Sequence, residues 1–271
     1  MEVRRIAGAL GAEIAGIDLS RELAADTVSA IRRAFLEHQV IFFHDQQLTP
    51  AQFMAFASRM GEPIEYPFVK PIEGFPKIIE VKKLEHERQN FGGIWHSDTT
   101  YLERPPMGSM LLAREVPPFG GDTEFANQYA AYEALSEGMR RILDGLKAVN
   151  ASSKADATRT REDRMKEKGD VQELIAEHPV VRTHPETGRK ALYVNIGHTV
   201  RFSGMTEQES APLLEFLFRH QVKPEFSCRF RWRVGSLAFW DNRCTQHNPI
   251  NDYHGYRRVM LRITLAGDKP H

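Results

Sequence analysis

Cysteine is scarce in this chain, with Cys228 and Cys244 the two examples in 271 residues. A disulfide framework and a cysteine-rich zinc module are both excluded by that scarcity. No stretch approaches the ~20 consecutive apolar residues of a membrane-spanning helix. The opening Met1-Glu2-Val3-Arg4-Arg5 lacks the apolar core of a signal peptide, so a soluble, cytoplasmic protein with no membrane partner is expected. An excess of either charge is also missing, since 36 Lys+Arg face 36 Asp+Glu. Nucleic-acid binders normally carry a basic surplus, so no nucleic-acid partner is expected. Internal repeats, low-complexity tracts and a dividing linker are absent as well. What remains is enough chain to bury a sizeable core without staples. It reads as one domain over residues 1–271, either an enzyme or a ligand-binding module.

The local patterns mix helix and strand. A helix is expected from Asp26-Thr27, with Val28, Ile31 and Phe35 on one face, followed by Val40-Ile41-Phe42-Phe43 as a buried strand. Thr49-Pro50-Ala51-Gln52 is a capping box with proline at the first helical position, and Gly61 closes that helix. Thr206-Glu207-Gln208-Glu209 repeats the device ahead of Leu213, Leu214, Leu217 and Phe218. Leu111-Leu112-Ala113, Leu192-Tyr193-Val194 and Leu237-Ala238-Phe239-Trp240 are short β-prone runs, and Pro185-Glu186-Thr187-Gly188 reads as a hairpin turn. Many short strands with a few helices predict an α+β protein built on a β-sandwich or open barrel. Between Lys154 and Asp170, inside a segment spanning about 152–177, basic and acidic residues alternate with negligible apolar content. That segment is either a solvated surface stretch or a flap inserted over a site.

Eleven histidines are too many to be functional together, so spacing must choose among them. Trp95-His96-Ser97-Asp98 sets an imidazole and a carboxylate two residues apart, on one face if the chain is extended there. Far along the chain, a β-prone run from Trp240 breaks into polar residues and ends on His247. Two histidines and a carboxylate form the facial triad of non-haem iron(II) oxygenases, which leaves adjacent positions for a chelating cosubstrate and dioxygen. The same donors also suit a zinc hydrolase. An oxygenase of that kind needs a cation for the far carboxylate of its 2-oxo acid. In the strand from Arg258 to Leu265, Val259, Leu261, Ile263 and Leu265 share one face, while Arg258, Met260, Arg262 and Thr264 share the other. Two arginines aligned in this way can each take an anion through two parallel bonds. They could equally be surface charges on an edge strand.

Trp95 to Asp98, Gly120-Gly121-Asp122-Thr123, the run from Trp240 to His247 and the strand from Arg258 to Arg262 together resemble the taurine dioxygenase family. These are iron(II)- and 2-oxoglutarate-dependent enzymes that include aryloxyalkanoate dioxygenases. The resemblance extends over nearly the whole chain. It implies a double-stranded β-helix, or jelly roll, with flanking helices; iron(II) held by His96, Asp98 and His247; and 2-oxoglutarate and dioxygen as cosubstrates. It places Thr123 and Arg258 on the far carboxylate of 2-oxoglutarate, Trp240 beside that cosubstrate, and Arg262 on the anionic group of the substrate. Glycines before Thr123 suit a tight turn, and the threonine hydroxyl can donate to a carboxylate. Two positions depart from the taurine pattern: Phe68 follows Tyr66-Pro67 where those enzymes carry histidine, and Gly92 replaces an asparagine. Both imply a roomier, more apolar substrate pocket than taurine needs. The segments Ile72 to Pro76 and Arg182 to Lys190 look closer to the aryloxyalkanoate branch. The expected activity is hydroxylation of a small organic anion (a sulfonate, sulfate ester or aryloxyalkanoate) with release of succinate and carbon dioxide. Taurine dioxygenase proper and a catalytically silent metal- and anion-binding jelly roll are the alternatives, and a homo-oligomer is left open.

Overall fold

Alternation within the strands builds the layers of this protein, whose computed structural model describes residues 1–154 and 173–271. The largest sheet runs Glu2–Arg5, Ala12–Ala15, Val40–Phe43, Leu237–Asp241, Gly108–Glu115, Arg258–Leu265, Phe75–Lys83 and Pro71–Ile72, with Pro63–Ile64 also pairing with Arg258–Leu265. Ala12–Ala15 runs parallel to Val40–Phe43, and Arg258–Leu265 lies antiparallel to both of its long neighbours. Both faces of this sheet are covered, which is why Val40-Ile41-Phe42-Phe43 is apolar at every position. Ile41, Phe43, Leu237, Phe239, Leu261 and Ile263 face one core. Val40, Phe42, Ala238, Trp240 and Met260 face another.

Two helices cover the first face. Ala25–His38 buries Ile31 and Phe35, and the Phe35 ring stacks on Phe239 with centroids 3.9 Å apart. Pro50–Met60 buries Phe53, Phe56, Ala57 and Met60. Each such side chain contributes roughly 1.5–3 kcal/mol by leaving water, so this helical layer holds the sheet's back face firmly. The capping boxes at Thr49 and Thr206 both form as the sequence requires. A smaller sheet of Ser227–Phe230, Thr123–Asn127 and Thr245–Pro249 covers the second face. It contributes Phe125, Cys228 and Phe230 to the shared core.

A further lobe collects Lys147–Ala151, Ile175–Pro179 and Thr199–Phe202 into a sheet beside the Glu207–His220 helix, whose Leu214 and Leu217 are buried. The Pro185–Gly188 turn joins Val181–Thr183 to Lys190–Leu192 as read from the sequence, and Gly188 takes the left-handed conformation (φ 69°). Residues 155–172, which hold most of the charged stretch, lie outside the described residues. At its margins, the amide of Ser152 donates to the carbonyl of Leu174 at 3.0 Å, and Ile175 to Glu177 pair with Val149 to Ala151. Among the described residues, no helix is long and apolar enough to cross a membrane.

Candidate active site

Backbone pairing brings the two candidate histidines together. His96 and His247 exchange reciprocal N–H···O bonds of 3.1 and 2.8 Å, forming an isolated antiparallel bridge. Their rings then lie side by side, with centroids 4.2 Å apart. His247 is positioned in turn by the small sheet, where it pairs with Phe125. Asp98 arrives by a different route from the one the H-x-D spacing suggests. The chain is not extended after His96 but enters a turn, with Thr99 at φ 42°. That turn, closed by the Leu102 amide on the Thr99 carbonyl at 2.9 Å, carries the carboxylate back to the histidines.

The Oδ1 atom of Asp98 lies 3.6 Å from His96 Nε2 and 3.8 Å from His247 Nε2. Its other oxygen, Oδ2, accepts from Ser109 Oγ at 2.7 Å and from an Arg262 nitrogen at 2.6 Å. One oxygen is thus tied down and the other turned toward the two imidazoles. His96 Nδ1 is 2.7 Å from the carbonyl of Ile94, which can only accept, so the proton sits on Nδ1 and leaves Nε2 a lone pair. Burial holds His247 well below the usual histidine range, so it is neutral. Burial alone would raise the Asp98 carboxyl, but the Arg262 charge leads the effects that hold it well below the usual range. Two imidazoles and one carboxylate, with their donor atoms within 4.8 Å of one another, fit a divalent transition metal.

A second close group, His184, Asp241 and Cys244, does not fit a cation. The amides of Glu186 and Thr187 donate to His184 Nδ1, so Nε2 carries the proton and donates to Asp241 at 3.0 Å. Arg243 binds both Asp241 oxygens, at 2.8 and 2.7 Å. Burial pushes the Cys244 thiol up, keeping it protonated. The His184 and Asp241 lone pairs are engaged, and the network braces the loop that leads to His247.

Arg258 and Arg262 both project from a central, fully buried strand, which removes the edge-strand reading. Thr123 begins its strand behind Gly120 and Gly121, both left-handed (φ 70° and 69°), and a side chain at Gly120 would collide with Asp252 at 2.5 Å. Thr123 Oγ1 accepts from Trp232 Nε1 at 2.9 Å, and the Trp232 ring lies 5.5 Å from the Arg258 guanidinium carbon. Among the described residues, Arg258 Nε and Nη2 are buried without a partner. Burial, only partly offset by Tyr253 and Asp122, pulls that guanidinium below its ordinary pKa. This is a ready anion site.

The family model for the Taurine catabolism dioxygenase TauD, TfdA family matches residues 2–264. The chain belongs to that family. It is accordingly a 2-oxoglutarate-dependent dioxygenase, of the class that uses iron(II), 2-oxoglutarate and dioxygen. An alpha-ketoglutarate-dependent sulfate ester dioxygenase of Pseudomonas putida is 38% identical to it over 278 residues, covering 100% of this chain and 91% of that protein. An alpha-ketoglutarate-dependent 2,4-dichlorophenoxyacetate dioxygenase of Cupriavidus pinatubonensis is 31% identical, covering 95% and 94%. Identity is therefore higher toward the sulfate ester relative than toward this aryloxyalkanoate one. The crystal structure of a taurine dioxygenase from Burkholderia xenovorans superposes with a TM-score of 0.84 at 38% identity, covering 99% of this chain and 92% of that one.

The other family positions fall around this centre. Trp240 packs against His247, with centroids 4.8 Å apart, and its indole donates to Asn242. It lies on the Arg262 side, whereas the tryptophan touching Thr123 and Arg258 is Trp232. Phe68 joins Tyr66, Phe91 and Tyr101 in a wall of edge-on aromatic pairs, and Arg262 lies over the Tyr66 ring at 5.3 Å. Gly92 lies against His96. At φ 67° its missing Cβ would stand 2.9 Å from His96 Cε1 and 3.2 Å from Nε2, so the glycine makes room for the histidine ring.

Sequence reasoning missed Ser109, Trp232, Tyr101 and His198. His198 is edge-on to both Tyr101 and His96, and burial pushes it down to about 3, so it is neutral. For Trp232 a signal existed. Cys228, Phe230 and Trp232 alternate with Arg229, Arg231 and Arg233, which marks Trp232 as inward-facing.

Proposed function

We propose that this enzyme hydroxylates a small organic anion with an apolar body, a sulfate ester or sulfonate ahead of an aryloxyalkanoate. The observation that carries this reading is the aromatic wall of Tyr66, Phe68, Phe91 and Tyr101 beside Arg262 and next to Asp98. A single cation bordered by rings suits one anionic group on an apolar chain. Relatives named for sulfate ester and alkylsulfate chemistry, at 38% and 37% identity, support that order of preference.

In this reading His96, Asp98 and His247 hold iron(II), Thr123 and Arg258 hold the far carboxylate of 2-oxoglutarate, and Trp240 fixes the His247 ring. When bound, the iron couples oxidative decarboxylation of 2-oxoglutarate to insertion of one oxygen atom of O2 into a substrate C–H bond. The other oxygen atom enters succinate, and carbon dioxide leaves. Arg262, with the wall formed by Phe68 and its neighbours, places the substrate's anionic end so that an adjacent C–H faces the triad. Gly92 leaves room for the His96 ring. Hydroxylation of the carbon bearing an ester oxygen yields a hemiacetal-like centre, which expels sulfate as its O–H proton is lost and the aldehyde forms. Residues 1–271 act as a single domain. The double-stranded β-helix is the reading of its two facing sheets, supported by the small sheet closing over the large one.

The test is substrate-dependent succinate formation from 2-oxoglutarate in air, with iron(II), across an alkyl sulfate, an alkanesulfonate, an aryloxyacetate and taurine. An alkyl sulfate or alkanesulfonate should outperform taurine. A clear preference for taurine would remove the pocket argument. No succinate from any of the four would favour the silent binding protein.

A further inference from the structure

We infer that Trp232 is a positioning residue that sets the affinity for 2-oxoglutarate by fixing both of its carboxylate anchors, an inference that rests on the reading of the Arg258 pocket as the cosubstrate site. Trp232 is almost fully buried and lies just beyond the Ser227–Phe230 strand. Its ring is locked edge-on against Phe230, with centroids 5.0 Å apart, and Phe230 stacks on Phe42 of the large sheet at 4.0 Å. The indole therefore has one orientation.

That orientation serves two groups from two different sheets. The indole N–H can only donate, so at the 2.9 Å contact Thr123 Oγ1 is the acceptor. The threonine's own proton must then point away from the indole, toward whatever acceptor the pocket holds. Arg258 arrives from the Arg258–Leu265 strand of the large sheet, with its guanidinium carbon 5.5 Å from the centre of the same indole. A cation over an indole face is held in place as well as attracted. The Nε and Nη2 protons of Arg258 have no partner among the described residues. One side chain thus borders a free hydroxyl proton and two free guanidinium protons. Those are the donors a carboxylate needs, and none has to reorganise when it arrives.

Trp232 itself touches no cosubstrate atom in this account. Its effect passes through Thr123 and Arg258, and this makes it separable by coupling. The experiment is an anaerobic titration of the iron(II)-loaded protein with 2-oxoglutarate, read from the visible charge-transfer band of the chelate. Trp232→Phe should raise the Kd for 2-oxoglutarate about tenfold, the usual scale for one lost hydrogen bond. Thr123→Val should cost about tenfold in the wild-type background but no more than about threefold when Trp232→Phe is already present, because the two act as a unit. Replacing Trp232 by its sulfur isostere benzothienylalanine, which keeps the shape and lacks the N–H, should reproduce the Trp232→Phe effect and guards against a folding failure of that variant. The KM for the organic anion should stay within about twofold in each case, since loosened packing would disturb both ligands. Unchanged 2-oxoglutarate affinity in the isostere, or a Thr123→Val cost that is equal in both backgrounds, would overturn the inference. A wild-type protein that binds iron(II) yet gives no band with 2-oxoglutarate would overturn the underlying reading instead.

Discussion

Removing the hydroxyl of Ser109 should weaken the metal site without touching any of its ligands. Ser109 is fully buried in the Gly108–Glu115 strand, and its Oγ donates to Asp98 Oδ2 at 2.7 Å. It also accepts from Asn242 Nδ2 at 3.3 Å and from Arg262 at 3.2 Å. In Ser109→Ala, Asp98 keeps its contact with Arg262 but loses a bond to a charged acceptor, a loss worth about 1.5–3 kcal/mol. That corresponds to about 10–100-fold in affinity, the range typical for partners that orient a metal ligand. Because Arg262 still restrains Oδ2, the lower end is expected, about tenfold. Asn242 Nδ2 also loses an acceptor, so a small fall in melting temperature should accompany the change. Anaerobic titration with cobalt(II), followed through its visible bands, measures the affinity directly. A Ser109→Ala protein within twofold of wild type, under conditions where Asp98→Ala loses binding, would refute the view that Ser109 aims the carboxylate.

Three further outcomes follow from the geometry. Gly92→Ala should cost about 1–2 kcal/mol in left-handed strain and push on His96, lowering cobalt(II) affinity several-fold; Gly8→Ala, where nothing lies within 4 Å, is the control, and equal affinity in both would remove the clash argument. Arg258→Ala should raise the 2-oxoglutarate requirement by about 30-fold or more while leaving cobalt(II) binding unchanged. Since its Nε and Nη2 are buried without a partner among the described residues, the ligand-free variant should melt no lower than wild type, and a large destabilisation would mean that the guanidinium already has a structural partner. Asp241 is held well below the ordinary carboxylate range: burial alone would raise it, but Arg243 and His184 outweigh that effect. Its contribution to stability is therefore complete above the unfolded-state pKa of about 3.9 and is lost as pH falls below it. Urea unfolding should show Asp241→Asn less stable at pH 7 and with a flatter stability profile from about pH 5 to pH 2; an unchanged acid slope would show that other carboxylates control it.

The sequence by itself determined how the Arg258–Leu265 side chains divide between two faces, that Val40–Phe43 is a buried strand, and where the capped helices begin. Alternation and capping are local, acting over two to four residues, so Val40 to Phe43 and the boxes at Thr49 and Thr206 carry their outcome in their own neighbourhood. The triad residues were legible too, because His96, Asp98 and His247 sit in recognisable short motifs. Only the tertiary structure decided how they meet. The turn at Thr99 replaces an extended H-x-D, and the reciprocal bridge between His96 and His247 joins segments far apart in the chain. Ser109 beneath Asp98, Trp232 between Thr123 and Arg258, and the glycine that clears the His96 ring are likewise invisible in one dimension. Each depends on strand register and on which sheet covers which. A local pattern does not encode those contacts, because they arise where residues distant in sequence are packed together.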